Sequence, residues 1–359
     1  MYSTRLNQAQ LGWFSGLYSI LALLAGVLFH TGLIYANLAI FGIGIRLLCL
    51  QARGTQNRCI RVSWLGSVIQ LYFFAPVYYQ VLSITEDSAG IMVTGLCIGF
   101  LVLWRIWWQI YLKTLVHNNF GISSVLWLYI LQCGWAKLGI GFYQLAPLII
   151  YPMFTPLASC WGGAGPWLIL LCLHQKKQSD FLLSTTLLLT LTSFLSLFQV
   201  SPEITMPDQV SDITIYAEGA GRDVVEGDAI VARRVETRDA VYHASVGIGS
   251  VQGMSIKRHL IPGIEGGYTS AKNNRVFDFQ GMKILVLICN DVFFQDFTQE
   301  ISESEVVVVL SHLNDLAKTP LPVYFDRYLQ YLARYYHRPI LHVDQHLTKM
   351  ITSTGHIEA

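Results

Sequence analysis

The sequence predicts a multi-span α-helical membrane bundle followed by an α/β domain, and three observations support this fold class. Of the 359 residues, 53% are hydrophobic and 13% are charged, whereas ordinary soluble proteins have about 25% charged residues. Residues 1–200 contain three acids, ten bases and all nine Trp, and residues 201–359 contain 20 acids and 14 bases, so their formal charges are +7 and −6. The buried-strand pattern Lys283–Cys289 lies in the second part. We therefore predict a transmembrane bundle over residues 1–200 and an outer domain over residues 201–359.

Charge-free intervals in the first part predict about seven membrane-spanning helices. A helix needs about 20 predominantly apolar residues to cross the hydrocarbon core. The intervals that meet this length give the predicted spans 11–29, 31–50, 63–83, 90–112, 122–142, 157–174 and 181–199.

Basic residues orient this bundle. They follow the second, fourth and sixth predicted spans, as with Arg53, Lys113 and Lys177, and the other loops have almost none. The positive-inside rule then places the amino terminus inside and residues 201–359 outside. For a multi-pass protein of a bacterial inner membrane, the outer side is the periplasm.

The second part alternates strand patterns with helix-length segments, which is typical of an α/β or α+β domain. Strands are predicted at Ser211–Ala217, Tyr242–Gly249, Arg275–Phe279, Lys283–Ile288, Glu305–Leu310, Pro339–Val343 and Lys349–Ser353, and a helix at Phe325–Tyr336. The cysteine and histidine spacings predict no metal site, and no cofactor is expected. We interpret His312, His342 and His346 as loop or edge residues.

Three residues at or just beyond predicted strand ends have the chemistry needed for acyl transfer. Cys289 follows a buried strand, and Glu218 and Lys257 follow other strand patterns. Individually, Cys289 fits a small core residue, and Glu218 and Lys257 fit a turn acid and a surface base. Together, a thiolate can attack a carbonyl, a carboxylate can move the proton, and an ammonium can stabilise the oxyanion.

The order Glu, Lys, Cys resembles that of the nitrilase, or carbon–nitrogen hydrolase, superfamily. The string Lys257–Glu265 resembles the K-x-H-L-V-P-F-G-E string of apolipoprotein N-acyltransferases, and Val276–Cys289 resembles their strand into I-C-Y-E. Ser311–Asp315, the Arg338–Gly355 tail and the segment from Trp135 to Pro147 are similar to further stretches of that family. The resemblance implies an αββα sandwich for the outer domain, in an apparently shortened form.

The resemblance also implies a mechanism and partners. Glu218 would be the general base and acid, and Cys289 the nucleophile that takes an acyl chain from a phospholipid donor. Lys257 would stabilise the oxyanion together with the Asn290 backbone N–H, Glu265 would orient Lys257, and Asp291 stands where the family has a glutamate. The acceptor would be the amine of a lipoprotein or another amine-bearing partner.

Other interpretations remain open at this point. The sequence departs from the family at Ala217-Glu218, at Pro262–Glu265 and at Cys289–Asp291. A compact relative, the TraB-type conjugal transfer proteins, resembles these acyltransferases and would connect the chain to a conjugation apparatus. A catalytically degenerate scaffold is a further alternative. A transporter using Lys137 and Arg105 is disfavoured because both lie near predicted helix ends, and nucleic-acid binding is disfavoured because the outer domain is acidic.

Overall fold

The computed structural model describes residues 178–198, 203–217, 227–260, 265–294, 297–313, 321–345 and 347–358, together with a few helical positions between 91 and 172. The first six predicted spans lie outside these residues, apart from those isolated positions. Contacts divide the chain into two compact units, Met1–Leu131 with Pro166–Leu191 and Gln132–Gly165 with Thr192–Ala359. All the strands below belong to the second unit.

Helix α1, Gln178–Phe198, occupies the position of the seventh predicted span. Its side chains are largely Leu, Phe and Thr, and many of them are exposed, including Leu183 and Phe194. Among the described helices, none combines the length and the apolarity that crossing a membrane requires.

The first sheet has four strands in the order β1-β2-β3-β4. They are β1 (Thr214–Tyr216), β2 (Ala229–Glu236), β3 (Val241–Ile248) and β4 (Met254–Ile256). β1 pairs parallel to β2, and β2, β3 and β4 pair antiparallel in turn. β1 and β4 therefore run in the same direction, and their carboxyl ends lie at the same end of the sheet.

The second sheet has six strands in the order β10-β9-β8-β7-β6-β5. The strands are β5 (Val276–Phe279), β6 (Met282–Ile288), β7 (Val306–Leu310), β8 (Ile340–Val343), β9 (Thr348–Ile351) and β10 (Ile357–Glu358). β6, β7 and β8 are parallel, and antiparallel strands flank them. Helix α2 (Thr298–Glu303) connects β6 to β7, and α3 (Leu321–Tyr336) precedes β8.

The hydrophobic core lies between the two sheets. Ile230 and Ala232 of the first sheet belong to the same buried cluster as Val286 and Val308 of the second. A hydrogen bond from Ser255 Oγ to the Val286 carbonyl, 2.8 Å long, links β4 to β6 across the interface. Because strand side chains alternate between faces, β6 and β7 contribute every second residue to this core and turn the others toward α2 and α3.

Every predicted strand overlaps an observed one, but β2, β4 and β10 were not predicted. In β2, the charged residues Arg233, Arg234 and Glu236 obscure the apolar run at the start of the strand. The histidine interpretation is wrong for His342, which is 3% exposed in the internal strand β8. His346 lies outside the described residues.

Candidate active site

Cys289 lies immediately after β6 and begins a 3₁₀ turn, Cys289–Phe293. Its φ angle of 46° falls in the left-handed region, which costs a residue with a Cβ about 1–3 kcal/mol and is concentrated at functional sites. Five consecutive residues before it, Ile284–Ile288, are fully buried. Cys289 itself is half-buried. A buried strand therefore ends in a strained, half-buried cysteine at the edge of the sheet.

The segment that contains Lys257 runs alongside the segment that contains Cys289. Ser255 is bonded to Val286, and the backbone N–H groups of Arg258 and His259 donate to Asp291 Oδ1 at 3.1 and 2.8 Å. The two segments thus advance in the same direction, from Ser255 opposite Val286 to His259 opposite Asp291. Lys257 directly follows β4 and lies on the same face as Ser255, because the two are two positions apart in an extended segment.

Lys257 is 1% exposed and donates a hydrogen bond to Glu265 Oε1 at 2.6 Å. Burying an ammonium is tolerated when a carboxylate compensates it. The contact predicted between Glu265 and Lys257 is therefore present, and it fixes a cation at the end of the sandwich where β4 and β6 terminate. His243 Nδ1 lies 3.5 Å from the same Glu265 oxygen.

A second group of buried charges lies behind the turn that begins at Cys289. Asp291 and Arg275 are both 0% exposed, and Arg275 NH1 is 3.9 Å from Asp291 Oδ2. Arg275 Nε also lies 3.6 Å from Glu300, which accepts a 2.6 Å bond from Arg258. Burial raises the pKa of Asp291, and Arg275 and the backbone donors oppose that rise. These contacts connect the Lys257 segment, β5, the Cys289 turn and α2.

Asn290 and His259 make contacts that join the Lys257 and Cys289 segments next to Cys289. The Asn290 side-chain amide donates to the His259 carbonyl at 3.1 Å. The His259 ring stacks on Phe294, with centroids 3.8 Å apart and an interplanar angle of 9°. This aromatic pair and the amide bond hold the residues that follow Lys257 and Cys289 against each other.

A separate polar relay lies on the helix side of the second sheet. Ser311 Oγ is 2.8 Å from His342 Nε2, His342 Nδ1 is 3.5 Å from Asp326 Oδ1, and Lys349 also pairs with Asp326. Burial acts to raise the pKa of Asp326, but hydrogen bonds from His342 and Lys349 outweigh it, so the pKa is lowered. Because Ser311 is 0% exposed, we assign this relay to anchoring α3 rather than to catalysis.

Of the residues predicted from the sequence, Lys257, Glu265, Cys289, Asn290 and Asp291 are described, and hydrogen bonds link the segments that contain them. Glu218 lies outside the described residues. Its neighbour Ala217 is buried directly after β1, at the same end of the sandwich as Lys257. Sequence reasoning missed His243 and Arg275, whose only sequence signal is a charged or polar residue within a strand pattern or at its edge.

Comparisons with known proteins give weak structural similarities. No protein-family model and no curated protein matches the sequence. Among solved structures, a glutamine-dependent NAD⁺ synthetase from Acinetobacter baumannii is 20% identical with a TM-score of 0.36, covering 42% of this chain and 38% of that one. XC1258 from Xanthomonas campestris, described as a CN-hydrolase superfamily protein, is 12% identical with a TM-score of 0.33, covering 41% and 72%. Saccharomyces cerevisiae Nit3, described as a member of branch 10 of the nitrilase superfamily, is 15% identical with a TM-score of 0.31, covering 36% and 55%.

Proposed function

We propose that this protein is a cysteine-dependent enzyme of the carbon–nitrogen hydrolase type that forms a thioester on Cys289. In its finer form, the proposal is a membrane-embedded N-acyltransferase that moves an acyl group from a phospholipid to an amine acceptor. Glu218, Lys257 and Cys289 are the proposed catalytic residues.

One observation supports the proposal above the others. Lys257 is buried after β4 and donates a 2.6 Å hydrogen bond to Glu265. Two residues later, the His259 N–H donates to Asp291, which belongs to the turn that begins at Cys289. Cys289 itself has a strained, positive φ angle. Structural roles alone do not require a desolvated ammonium at this position, since a buried ion pair adds little net stability compared with apolar residues. Developing negative charge on a substrate oxygen would give that ammonium a function.

The proposed first half-reaction transfers an acyl group to sulfur. Glu218 accepts the thiol proton, and the Cys289 thiolate attacks the ester carbonyl of the lipid. Lys257 stabilises the resulting oxyanion. When the tetrahedral intermediate collapses, the C–O bond breaks, Glu218 returns its proton to the departing alkoxide, and a thioester remains on Cys289.

The proposed second half-reaction regenerates the enzyme. An amine attacks the thioester carbonyl while Glu218 takes a proton from nitrogen. The C–N bond forms, the C–S bond breaks, and the proton returns to sulfur. The acceptor would be an amine-bearing partner such as a lipoprotein amino terminus, and water in its place would give hydrolysis.

The decisive experiment is detection of an acyl adduct on Cys289. The full chain, purified in detergent, is incubated with phosphatidylglycerol, a lipid without an amine, that carries isotope-labelled acyl chains, and the Cys289 peptide is analysed by mass spectrometry without added amine. We expect the mass of a labelled acyl group on Cys289 in the wild type. Peptide-level analysis is needed because the sequence has six further cysteines.

Three variants complete the test. Cys289→Ala should give no adduct. Lys257→Met should slow adduct formation by about 10²–10³-fold, the usual effect of losing an oxyanion-stabilising group. Lys257→Arg should also fail because a planar fork does not replace a point charge. An adduct that forms equally in Lys257→Met, or a folded wild type that forms none, would contradict the proposal and favour a non-catalytic role such as a conjugation scaffold.

A further inference from the structure

His243 contacts the Lys257 region through both its backbone and its side chain. Its carbonyl accepts the Lys257 N–H at 2.9 Å, which extends the β3–β4 ladder by one residue. Its Nδ1 lies 3.5 Å from Glu265 Oε1, the atom that accepts the Lys257 ammonium at 2.6 Å. One carboxylate oxygen therefore lies between an imidazole and an ammonium.

All three residues are buried, with exposed fractions of 1% for Lys257, 5% for His243 and 8% for Glu265. In such surroundings water does not screen the charges, and the position of an ammonium depends on the carboxylate it pairs with. A group that fixes Glu265 consequently fixes Lys257. His243 lies on β3, an internal strand of its sheet. Its position is therefore well fixed, and it can hold Glu265 in place.

The surrounding contacts restrict His243 as well. Its ring packs against Tyr268, with centroids 5.6 Å apart, and the Tyr268 N–H donates to the Glu265 carbonyl at 3.0 Å. The Thr269 N–H donates to the Val241 carbonyl at 2.7 Å, which attaches the Glu265 loop to β3. The same loop thus supplies the carboxylate and packs against the imidazole that faces it.

We propose that His243 is a positioning residue, which holds the Glu265 carboxylate so that the Lys257 ammonium points toward the substrate oxygen. This inference rests on the proposed function, because it gives Lys257 the oxyanion-stabilising role. His243 touches no reacting atom in this scheme and acts only through Glu265.

Two substitutions separate this role from simple core packing. His243→Asn keeps a polar group close to the position of Nδ1, and His243→Leu has a similar size without any polar group. If His243 only fills space, the two variants should behave alike. If it positions Glu265, His243→Asn should retain function and His243→Leu should not.

The measurements use the full chain in detergent with labelled phosphatidylglycerol, which has no amine. His243→Leu should form the Cys289 adduct about 10–100-fold more slowly per folded molecule, the range that a displacement of about 1 Å produces. His243→Asn should stay within about three-fold of the wild type. The lipid concentration for half-maximal rate should not change in either variant, since positioning affects the transition state and not lipid binding.

A matched control comes from His342, another buried histidine that faces a carboxylate at 3.5 Å, here Asp326. His342→Leu should lower thermal stability as much as His243→Leu does but leave the rate of adduct formation per folded molecule unchanged. Equal slowing in both variants would indicate a general effect of losing a buried histidine and would overturn the proposal.

A second measurement works without turnover. The rate of Cys289 alkylation by iodoacetamide at pH 7, followed on the Cys289 peptide, should fall several-fold in Lys257→Met and His243→Leu but not in His243→Asn, because a displaced ammonium no longer favours the thiolate. If the wild type forms no adduct, the proposed function fails, and this alkylation pattern still decides whether His243 positions Lys257. Equal alkylation of His243→Leu and His243→Asn would overturn the inference while leaving the proposed function intact.

Discussion

Replacing Asp291 tests whether the buried charges behind Cys289 hold the site together. The carboxylate is 0% exposed, and its Oδ1 accepts the N–H groups of Arg258 and His259. Its Oδ2 faces Arg275, with 3.9 Å between the two atoms. Asp291→Ala removes every one of these contacts, whereas Asp291→Asn retains an oxygen for the two backbone donors and removes the charge.

The expected destabilisation follows from those contacts. Each buried donor left without an acceptor costs about 1–3 kcal/mol, and removing one partner of a buried ion pair costs about 3–5 kcal/mol. These contributions overlap, and Glu300 at 3.6 Å still compensates Arg275. We therefore expect Asp291→Ala to lower the free energy of unfolding by about 3–5 kcal/mol and Asp291→Asn by about 1–2 kcal/mol.

The pKa of Asp291 gives this prediction a pH dependence. Burial raises that pKa above its ordinary value of 3.8. A carboxyl whose pKa is raised by folding stabilises the protein below its unfolded pKa and loses that contribution as the pH rises through the folded value. The difference in the free energy of unfolding between the wild type and Asp291→Asn should therefore be greatest at acidic pH and should decrease as the pH rises.

Hydrogen exchange is the suitable assay, since all nine Trp lie before residue 200 and therefore outside both sheets, so tryptophan fluorescence does not report directly on the strands. Peptides from β6 and β7 would give the opening free energy. Asp344→Asn is the control, because Asp344 also accepts a backbone N–H, from Leu313 at 3.2 Å, but in a partly exposed position. Equal losses below about 1 kcal/mol for both Asp291 variants would refute the argument.

Three further predictions concern pH, backbone strain and the buried ion pair. Because the pKa of Asp326 is lowered in the folded protein, the wild type should be more stable than Asp326→Asn above about pH 4. Hydrogen exchange measured over an acid titration should show this difference in stability disappearing at lower pH. Cys289→Gly should be about 1 kcal/mol more stable than Cys289→Ala, because glycine adopts a positive φ without strain; thermal melting would show this, and equal melting temperatures would contradict it. In the double variant Lys257→Met, Glu265→Leu, the free energy of unfolding should be unchanged or higher than that of the wild type by up to about 4 kcal/mol. This variant should form no Cys289 adduct. A large loss of stability would show that the ion pair has a structural role.

The two central strands β6 and β7 could be predicted because their sequence patterns match their burial. The runs Ile284–Ile288 and Val306–Leu310 are continuously apolar, and they form most or all of the parallel strands β6 and β7. Such runs indicate strands buried on both faces. The α3 helix was predicted from the spacing of its aromatic residues and Leu over Phe325–Tyr336, and it begins a turn earlier, at Leu321.

The polar framework of the site could not be predicted in the same way. The Glu265–Lys257 contact was expected from the resemblance, but the pairing of Arg275 with Asp291 depends on how β5 and the Cys289 turn approach each other. His243 appears in the sequence as an ordinary member of a strand pattern, and only the register of β3 against β4 brings it to Lys257. Residues that act through tertiary contacts leave no periodic signal, because the contact joins segments whose separation in sequence is arbitrary.

The positions of the buried charges agree with a function at one end of the sandwich. Lys257, Glu265, Arg275 and Asp291 are all at most 8% exposed, and each belongs to the segments that surround Cys289. Hydrophobic side chains would stabilise these positions at least as well, and the side chains that β6 and β7 contribute to the core cluster are apolar. These four charged groups therefore lie where the chain is also strained, at the φ angle of Cys289. Strain and buried charge together reduce stability near Cys289, and the chemistry proposed for this cysteine would give both a common reason.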